Sequence, residues 1–169
     1  IKVANQTSIA CAKMLENGQV DFIITNYPNS SLSNANSIRP LKEFSDVFVA
    51  NPEYFPLTGK KISLQTLQTY PILMLDRKST TSEFLHHMFQ KHQLDLVPEI
   101  ELTSNDLLID LARIGLGIAF VPDFCIPADD KELFILDLEE QLPRRQIVVA
   151  HNENLPISQA AKQFMEMLH

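Results

Sequence analysis

The chain has 169 residues, 45% of them apolar and 21% charged, which is typical of a soluble globular protein long enough for one domain or two small lobes. Its formal net charge of −7 argues against nucleic-acid binding by this segment itself, because an acidic surface repels phosphate groups. No apolar run approaches the about 20 residues that cross a bilayer, so we expect a cytoplasmic protein with no membrane partner.

Apolar runs of strand length alternate with helical patterns along the chain. The first half is predicted to form a strand over 1–4, a helix over 8–16, a strand over 20–25, a loop over 26–37, a strand over 46–50, a helix over 62–70 capped by Ser63, and a strand over 71–76. The second half is predicted to form helices over 79–93, 104–114 and 158–168, and strands over 99–103, 117–122, 133–138 and 145–151. Strands that alternate with single helices predict an α/β fold with mostly parallel sheets.

Residues 7–25 and 103–122 share one design. Both stretches begin with Thr-Ser, run through about three helical turns, stop at a glycine and enter an apolar strand. Chance similarity of two common strand–helix–strand units is the alternative, but we favour two equivalent lobes. The second stretch follows a further strand and helix that have no counterpart before the first. The repeat therefore predicts that the chain is a fragment cut within its first lobe.

The stretch Gly115-Leu116-Gly117 holds half of the four glycines of the chain. A phosphate-binding glycine loop follows a strand and opens a helix, whereas here the helix comes first. We therefore predict that Gly115, like Gly18, ends its helix in the left-handed conformation. Gly117 is predicted to permit close packing at the start of the next strand.

Small hydroxyl and amide side chains follow the predicted strands at their carboxyl ends, where ligands bind in open α/β sheets. Helix N-termini favour an anion there, such as a small carboxylate. The alternative is that each hydroxyl only caps its own helix. The residues at these positions are Ser8, Thr25, Asn26, Ser79, Thr80, Thr81, Ser82, Thr103, Ser104 and Asn105.

Signals for catalysis or metal binding are weak, so we predict no enzyme activity, cofactor or metal site. No GxSxG elbow is present, and no nucleophile or base pairs in sequence with Asp76, Asp106, Asp110 or Asp123. The histidines have no metal-ligand spacing; of the neighbours His86 and His87, one is predicted to be exposed and the other half-buried.

The two cysteines, Cys11 and Cys125, fit no metal or redox spacing. We interpret them as two buried thiols in a reducing compartment, with a redox pair as the alternative. Six phenylalanines are interpreted as core residues, because the acidic charge disfavours their use as nucleic-acid stacking platforms. They are Phe44, Phe48, Phe84, Phe89, Phe120 and Phe134.

Four stretches resemble the effector-binding domain of LysR-type transcriptional regulators. They are "LENGQVDFIIT" (15–25), "ISLQTLQTYPILMLDRKSTT" (62–81), "LARIGLGIAFVPD" (111–123) and "PRRQIVVAHNENLPISQAAKQFMEML" (143–168). The first and third are the most specific, and the resemblance extends over essentially the whole chain.

The resemblance implies a two-lobed fold like that of type 2 periplasmic binding proteins, joined by two crossover strands. Lobe I would comprise 1–48 and 142–169, and lobe II 49–141. By this resemblance, the family's N-terminal winged helix-turn-helix and linker helix are expected to be absent from this chain. The implied function is to sense a small metabolite between the lobes and so modulate DNA binding by the parent protein, a homo-oligomer. The alternative is the solute-binding protein of a transporter with the same fold.

The resemblance also implies a set of effector contacts. They are Ser8, Ile24, Asn26, the Ser79–Thr81 turn, Ser104 and Asn105; we add Thr25 and, at the mouth of the cleft, Phe120 and Pro122. Ser82 stands where many relatives have an arginine, although Arg77 or Lys78 could replace that cation. The effector is expected to be a small polar or carboxylate-bearing metabolite, and a dicarboxylate is disfavoured.

Overall fold

The computed structural model describes residues 2–34 and 36–168, which form two compact units. The chain passes from unit 1 to unit 2 after Phe44 and returns to unit 1 at Arg145. These boundaries lie a few residues from the predicted ones, and we propose that the units are lobes I and II.

The described residues contain five α-helices and ten strands. In chain order they are α1 (Ser8–Glu16), β1 (Ile23–Tyr27), β2 (Asn36–Phe44), β3 (Asp46–Ala50), β4 (Lys61–Ile62), α2 (Leu64–Leu67), β5 (Ile72–Leu75), α3 (Thr80–Lys91), β6 (Ile100–Leu102), α4 (Asn105–Arg113), β7 (Ile118–Pro122), β8 (Phe134–Ile135), β9 (Asp137–Leu138), β10 (Arg145–Asn152) and α5 (Gln159–Met167). A 3₁₀ turn over Asp123–Cys125 follows β7.

Unit 1 contains a three-stranded sheet in the order β1-β10-β2, and α1 packs against it. Strand β10 runs antiparallel to both neighbours, so the prediction of a mostly parallel sheet is wrong for this unit. Residues 2–4 form no strand, and Ile1, where that strand was predicted to begin, lies outside the described residues.

Unit 2 contains a five-stranded sheet in the order β6-β5-β7-β3-β8. Strands β6, β5 and β7 are parallel, since α3 and α4 serve as their crossover connections. Strand β3 pairs antiparallel with β7 and β8. The α/β class is therefore confirmed, with a mixed sheet rather than a mostly parallel one.

The core of unit 2 lies on both faces of this sheet. All five residues of β7 are buried because helices cover both faces. Phe120 belongs to one cluster with Phe48 and Leu85, whereas Ala119 and Val121 belong to the other. The ring centroid of Phe120 lies 4.6 Å from that of Phe48. Alternation along β7 thus assigns Phe120 to the face that α3 covers.

The two repeat helices, α1 and α4, have nine residues each. Thr7 caps α1 and Ser104 caps α4 through their side-chain oxygens. The repeat therefore aligns Thr7 with Ser104 rather than with Thr103. Gly18 and Gly115 follow in the left-handed conformation, with φ of +66° and +78°, as predicted.

Ion pairs anchor the segment after the 3₁₀ turn to the end of α4. Arg113 Nη2 lies 2.8 Å from Asp130 Oδ2, and Arg113 Nη1 lies 2.6 Å from Asp110 Oδ1. Asp130 Oδ1 also accepts hydrogen bonds from the amides of Glu132 and Leu133. Burial acts to raise the pKa of Asp130, but the hydrogen bonds from Arg113 and the two amides outweigh it, so the net pKa is lowered.

We expect Asp130→Asn to lower the free energy of unfolding at pH 7 by about 1–2 kcal/mol, because it removes a charge-assisted hydrogen bond. A carboxylate with a lowered folded-state pKa stabilises the protein above its unfolded pKa of about 3.9, and this contribution is lost as pH falls through the folded-state value. Urea unfolding at pH 7 and pH 3 should therefore show a smaller difference between variant and wild type at pH 3. Asp129→Asn, at the exposed neighbour, is the control; an equal effect there would contradict the assignment.

Candidate functional site

The carboxyl ends of β5, β6 and β7 meet at one edge of the sheet of unit 2. We call this the strand-end edge; it comprises residues 76–81, 103–106 and 122–123. The strands are parallel, and the amide of Asp76 donates to the carbonyl oxygen of Leu102 at 2.8 Å. Helices α3 and α4 begin here, so their N-terminal amides and dipoles are directed at the edge.

At the start of α3, the predicted hydroxyl-rich turn is present. Ser79 Oγ accepts a hydrogen bond from the amide of Ser82 at 3.1 Å and donates one to the carbonyl oxygen of Asp76. Thr80 and Thr81 are buried, with exposed fractions of 3% and 1%. The Ser79 hydroxyl therefore caps α3, in agreement with the alternative interpretation that each hydroxyl only caps its own helix.

At the start of α4, the amide side chain of Asn105 differs from its neighbours. Ser104 is exposed and its Oγ accepts from the amide of Leu107, so it caps α4. Asn105 Oδ1, by contrast, is buried without a hydrogen-bond partner among the described residues. A buried carbonyl oxygen without a partner destabilises the fold, and a ligand that donates a hydrogen bond to it would remove that cost.

The strand-end edge also carries negative charge. Asp76, Asp106 and Asp123 all lie on it. Burial first, and then the carboxylates of Asp106, Asp46 and Asp123, raise the pKa of the Cys125 thiol to about 11. Cys125 therefore stays protonated and unreactive at neutral pH.

The predicted site residues of unit 1 lie at α1 and along β1. Ser8 is the first residue of α1 and is half-buried. Ile24 and Asn26 lie on one face of β1, with Ile24 45% exposed, and Thr25 lies buried on the other. The side chain of Thr25 therefore lies on the opposite face of β1 from those of Ile24 and Asn26.

Asn29 is a residue of this region that the sequence analysis missed. Its Nδ2 donates to the carbonyl oxygen of Ser8 at 3.1 Å and to Thr25 Oγ1 at 3.4 Å, and its Oδ1 accepts from the amide of Ser31. It is 5% exposed. Asn29 thereby links α1 to β1. In the sequence it stands in a stretch rich in Asn and Ser, which also suited an ordinary loop.

Two predicted contacts near the end of β7 differ in placement. Pro122 ends β7 at the strand-end edge and is buried. Phe120 is completely buried in the core beside Phe48, so its side chain does not line the mouth of a cleft. The core interpretation of Phe120 is supported and the ligand-contact interpretation is not.

Metal-ligating and redox groups are dispersed. Within residues 2–34 and 36–168, no three His, Cys, Asp or Glu side chains are grouped so as to hold a metal ion. Cys11 lies in unit 1 and Cys125 in unit 2, each half-buried rather than fully buried as predicted. His86 is half-buried and His87 exposed, as expected. No helix in these residues is both long and apolar enough to span a membrane.

Comparison with known proteins places the chain in a family. The LysR substrate binding domain family matches residues 1–169. The HTH-type transcriptional activator CmpR of Synechocystis sp. (strain ATCC 27184 / PCC 6803 / Kazusa) is 24% identical over 170 residues, which cover 99% of this chain and 55% of that protein. The RuBisCO operon transcriptional regulator of Allochromatium vinosum is 26% identical, with the same coverage. The chain thus spans about half the length of these relatives.

Solved structures confirm the fold class. The regulatory domain of Synechocystis PCC6803 CcmR in complex with 2-PG superposes with a TM-score of 0.85 at 23% identity, covering 96% of this chain and 78% of that one. The effector binding domain of QuiR in complex with shikimate superposes with a TM-score of 0.82 at 19% identity, covering 95% and 76%. The chain belongs to the LysR substrate binding domain family.

Proposed function

We propose that the chain is the ligand-sensing regulatory part of a LysR-type transcriptional regulator. Binding of a small metabolite shifts the parent protein, a homo-oligomer in the cytoplasm, between states that differ in DNA binding. DNA contacts belong to segments outside this chain, in keeping with its net charge of −7. Membership of a regulator-domain family rather than an enzyme family supports this function.

The metabolite is bound at the strand-end edge of unit 2, with the amides at the start of α3 and α4 as its anchor. The observation that carries this assignment is the unpartnered, buried Oδ1 of Asn105. Ser104, Thr80, Thr81 and Pro122 shape the edge around it. On unit 1, the corresponding ligand-binding residues are Ser8, Ile24 and Asn26. Thr25 lies buried on the other face of β1, where Asn29 bonds to its Oγ1 and to the carbonyl oxygen of Ser8.

The chemistry of the edge defines the class of metabolite. Helix N-termini attract an oxyanion such as a carboxylate. Asn105 Oδ1 and the carboxylates of Asp76, Asp106 and Asp123 accept hydrogen bonds, so the same ligand must also carry donors. A monocarboxylate with hydroxyl or amino groups meets both requirements. Shikimate, the ligand of the QuiR structure, is of this kind.

Asn105→Ala should weaken binding of such a metabolite about 5- to 100-fold, since one hydrogen bond to a buried group is lost. The measurement is isothermal titration calorimetry of the full-length parent with shikimate, 2-PG, hydroxy acids and amino acids. Asn154→Ala, at an exposed turn residue, is the control and should bind like wild type.

Two outcomes count against the proposal in different ways. If no compound binds and none alters DNA binding, the sensing function itself is refuted. If a compound binds equally to wild type and Asn105→Ala, the function stands and the assigned site is wrong.

A further inference from the structure

A group of exposed apolar side chains lies at the C-terminal end of α4, in unit 2. Its members are Tyr54, Ile114 and Leu116, which are 57%, 61% and 49% exposed, and we call them the Tyr54 platform. The ring of Tyr54 lies directly over Gly115, close enough to overlap a Cβ atom at that position, and the other two residues flank this glycine. Single exposed apolar residues are common in soluble proteins, whereas a contiguous group of them is characteristic of interaction sites.

The helix end itself does not require apolar side chains. Helices α1 and α4 both end in the same pair of hydrogen bonds, donated by the glycine amide and by the amide after it, which is the Schellman termination. In α1 the residues that flank Gly18 are Asn17 and Gln19, both exposed, whereas α4 has Ile114 and Leu116 at these positions. An apolar residue after the glycine can pack back on its helix, but half of Leu116 remains exposed. The same backbone thus carries polar residues in one unit and apolar residues in the other.

Hydrogen bonds fix the loop that carries Tyr54 to the end of α4. Asn51 is buried; its Nδ2 donates to the carbonyl oxygen of Arg113 at 2.6 Å, and its Oδ1 accepts from the amide of Glu53. The amides of Tyr54 and Phe55 both donate to the carbonyl oxygen of Asn51. The platform is therefore ordered in advance, so that little conformational entropy is lost when a partner binds to it.

Negative charge is in excess beside the platform. Three carboxylates share the one guanidinium of Arg113, at N–O distances of 2.6, 2.8 and 3.8 Å, which leaves an excess of two negative charges. The charges of Asp129 and Lys131 cancel, and Glu53 adds an exposed carboxylate next to Tyr54. We call these carboxylates the acidic border; they belong to Glu53, Asp110, Asp129, Asp130 and Glu132. A partner with complementary charge must carry cations.

Size and charge both disfavour a second copy of this chain as that partner. A stable interface between two proteins buries about 800 Å² on each of them, which is more than three half-exposed side chains provide. A symmetric pair of platforms would also bring two acidic borders together. The net charge of −7 disfavours nucleic acid and anionic lipid surfaces in the same way. A short basic segment of another protein satisfies both conditions.

We propose that the Tyr54 platform docks a short segment of a protein partner in which apolar side chains are flanked by arginine or lysine. The apolar side chains of the segment pack on Ile114 and Leu116. Its cations lie over the ring of Tyr54 and pair with the acidic border. Asn105 begins α4 and the platform lies at the other end of this helix, so the docking surface is separate from the strand-end edge and requires no metabolite.

The test is fluorescence anisotropy of labelled peptides titrated with the full-length parent. Three peptides of equal length serve as probes: alternating arginine and leucine, alternating arginine and serine, and alternating glutamate and leucine. We expect saturable binding of the arginine–leucine peptide, and binding about fivefold or more weaker for the arginine–serine peptide, which has no apolar side chains. The glutamate–leucine peptide should not bind. Added salt should weaken binding of the first peptide, because its cations pair with exposed carboxylates.

Matched variants locate the binding. Ile114→Asn combined with Leu116→Gln gives α4 the polar helix end that α1 has. This double variant should bind the arginine–leucine peptide about tenfold or more weakly, since it removes the apolar anchors of the interface. Its thermal stability should change little, because both side chains are exposed. Val97→Asn removes an apolar side chain that is 82% exposed elsewhere in unit 2, and it should bind like wild type.

The proposal is overturned if the arginine–leucine peptide shows no saturable binding, or if the glutamate–leucine peptide binds as tightly. It is also overturned if the double variant binds the arginine–leucine peptide like wild type. A double variant that forms a smaller oligomer than wild type in multi-angle light scattering would identify a second copy as the occupant, and this result overturns the proposal as well.

Discussion

Phe120→Ala should lower the free energy of unfolding by about 3–5 kcal/mol, the range for removing a large aromatic side chain from a core. Phe120 is 0% exposed, and its ring centroid lies 4.6 Å from that of Phe48 and 6.4 Å from that of Phe84. Its position at the centre of β7 leaves the surroundings little freedom to collapse into the cavity. Urea unfolding monitored by circular dichroism measures the loss.

Phe124→Ala is the matched control, because the side chain of Phe124 in the following 3₁₀ turn is 47% exposed. We expect it to cost about 1 kcal/mol or less, since less apolar surface is withdrawn from water there. A Phe120→Ala protein that keeps its stability but loses metabolite binding would restore the interpretation of Phe120 as a ligand contact.

The two interpretations of Phe120 arose because the pattern of apolar residues does not show which face of β7 each side chain occupies. Every residue of β7 is apolar, so no alternation in the sequence distinguishes the two faces of the strand. Only the positions of α3 and α4 on opposite faces assign Phe120 to one cluster and Val121 to the other.

Local signals, by contrast, were sufficient to place the helices, although the helix predicted over 62–70 spans only Leu64–Leu67. The boundaries of α1 and β3 agree with the sequence prediction, and Ser63 caps α2 as expected. A cap forms between residues three positions apart, and a left-handed glycine depends on one φ angle. Helix caps and left-handed glycines are determined by short stretches of sequence and depend little on the remainder of the fold.

Features that depend on distant pairing were missed or misjudged. Strand β2 has a mostly half-buried or exposed pattern, includes Pro40 and forms one edge of its sheet, so it shows neither alternation nor an apolar run. Its partner β10 lies about a hundred residues further along the chain. Strand β10 also pairs antiparallel with β1, so the sheet of unit 1 is antiparallel throughout.

The candidate site shows the same division. The residues at the carboxyl ends of β5 and β6 could be named because strand–helix order alone locates them. Which of them is already satisfied could not be known: Ser79 and Ser104 cap their helices, whereas Asn105 Oδ1 has no partner in the described residues. That distinction depends on side-chain directions that the one-dimensional pattern does not contain.

Gly117→Ala should lower the free energy of unfolding by about 2–3 kcal/mol, near the upper end of the range for overpacking a core. A Cβ atom at this position would lie 2.6 Å from the carbonyl oxygen of Pro71 and 2.7 Å from Leu73 Cδ2. The next residue, Ile118, donates its amide to the same Pro71 oxygen at 2.8 Å, so the added methyl group would force β7 away from β5 at a hydrogen bond that joins them. Thermal and urea unfolding of the variant measure the cost.

Gly59→Ala separates this steric effect from the general cost of replacing glycine. Gly59 has a positive φ of +72°, and a Cβ atom there would meet nothing within 4 Å. It should therefore cost only the backbone penalty of about 1–2 kcal/mol for an L-residue in the left-handed region. Gly117 requires no left-handed backbone, so a larger loss at Gly117 than at Gly59 identifies the close approach of β5 and β7 as the cause. A Gly117→Ala variant as stable as wild type would mean that the two strands can separate at this point without loss of packing.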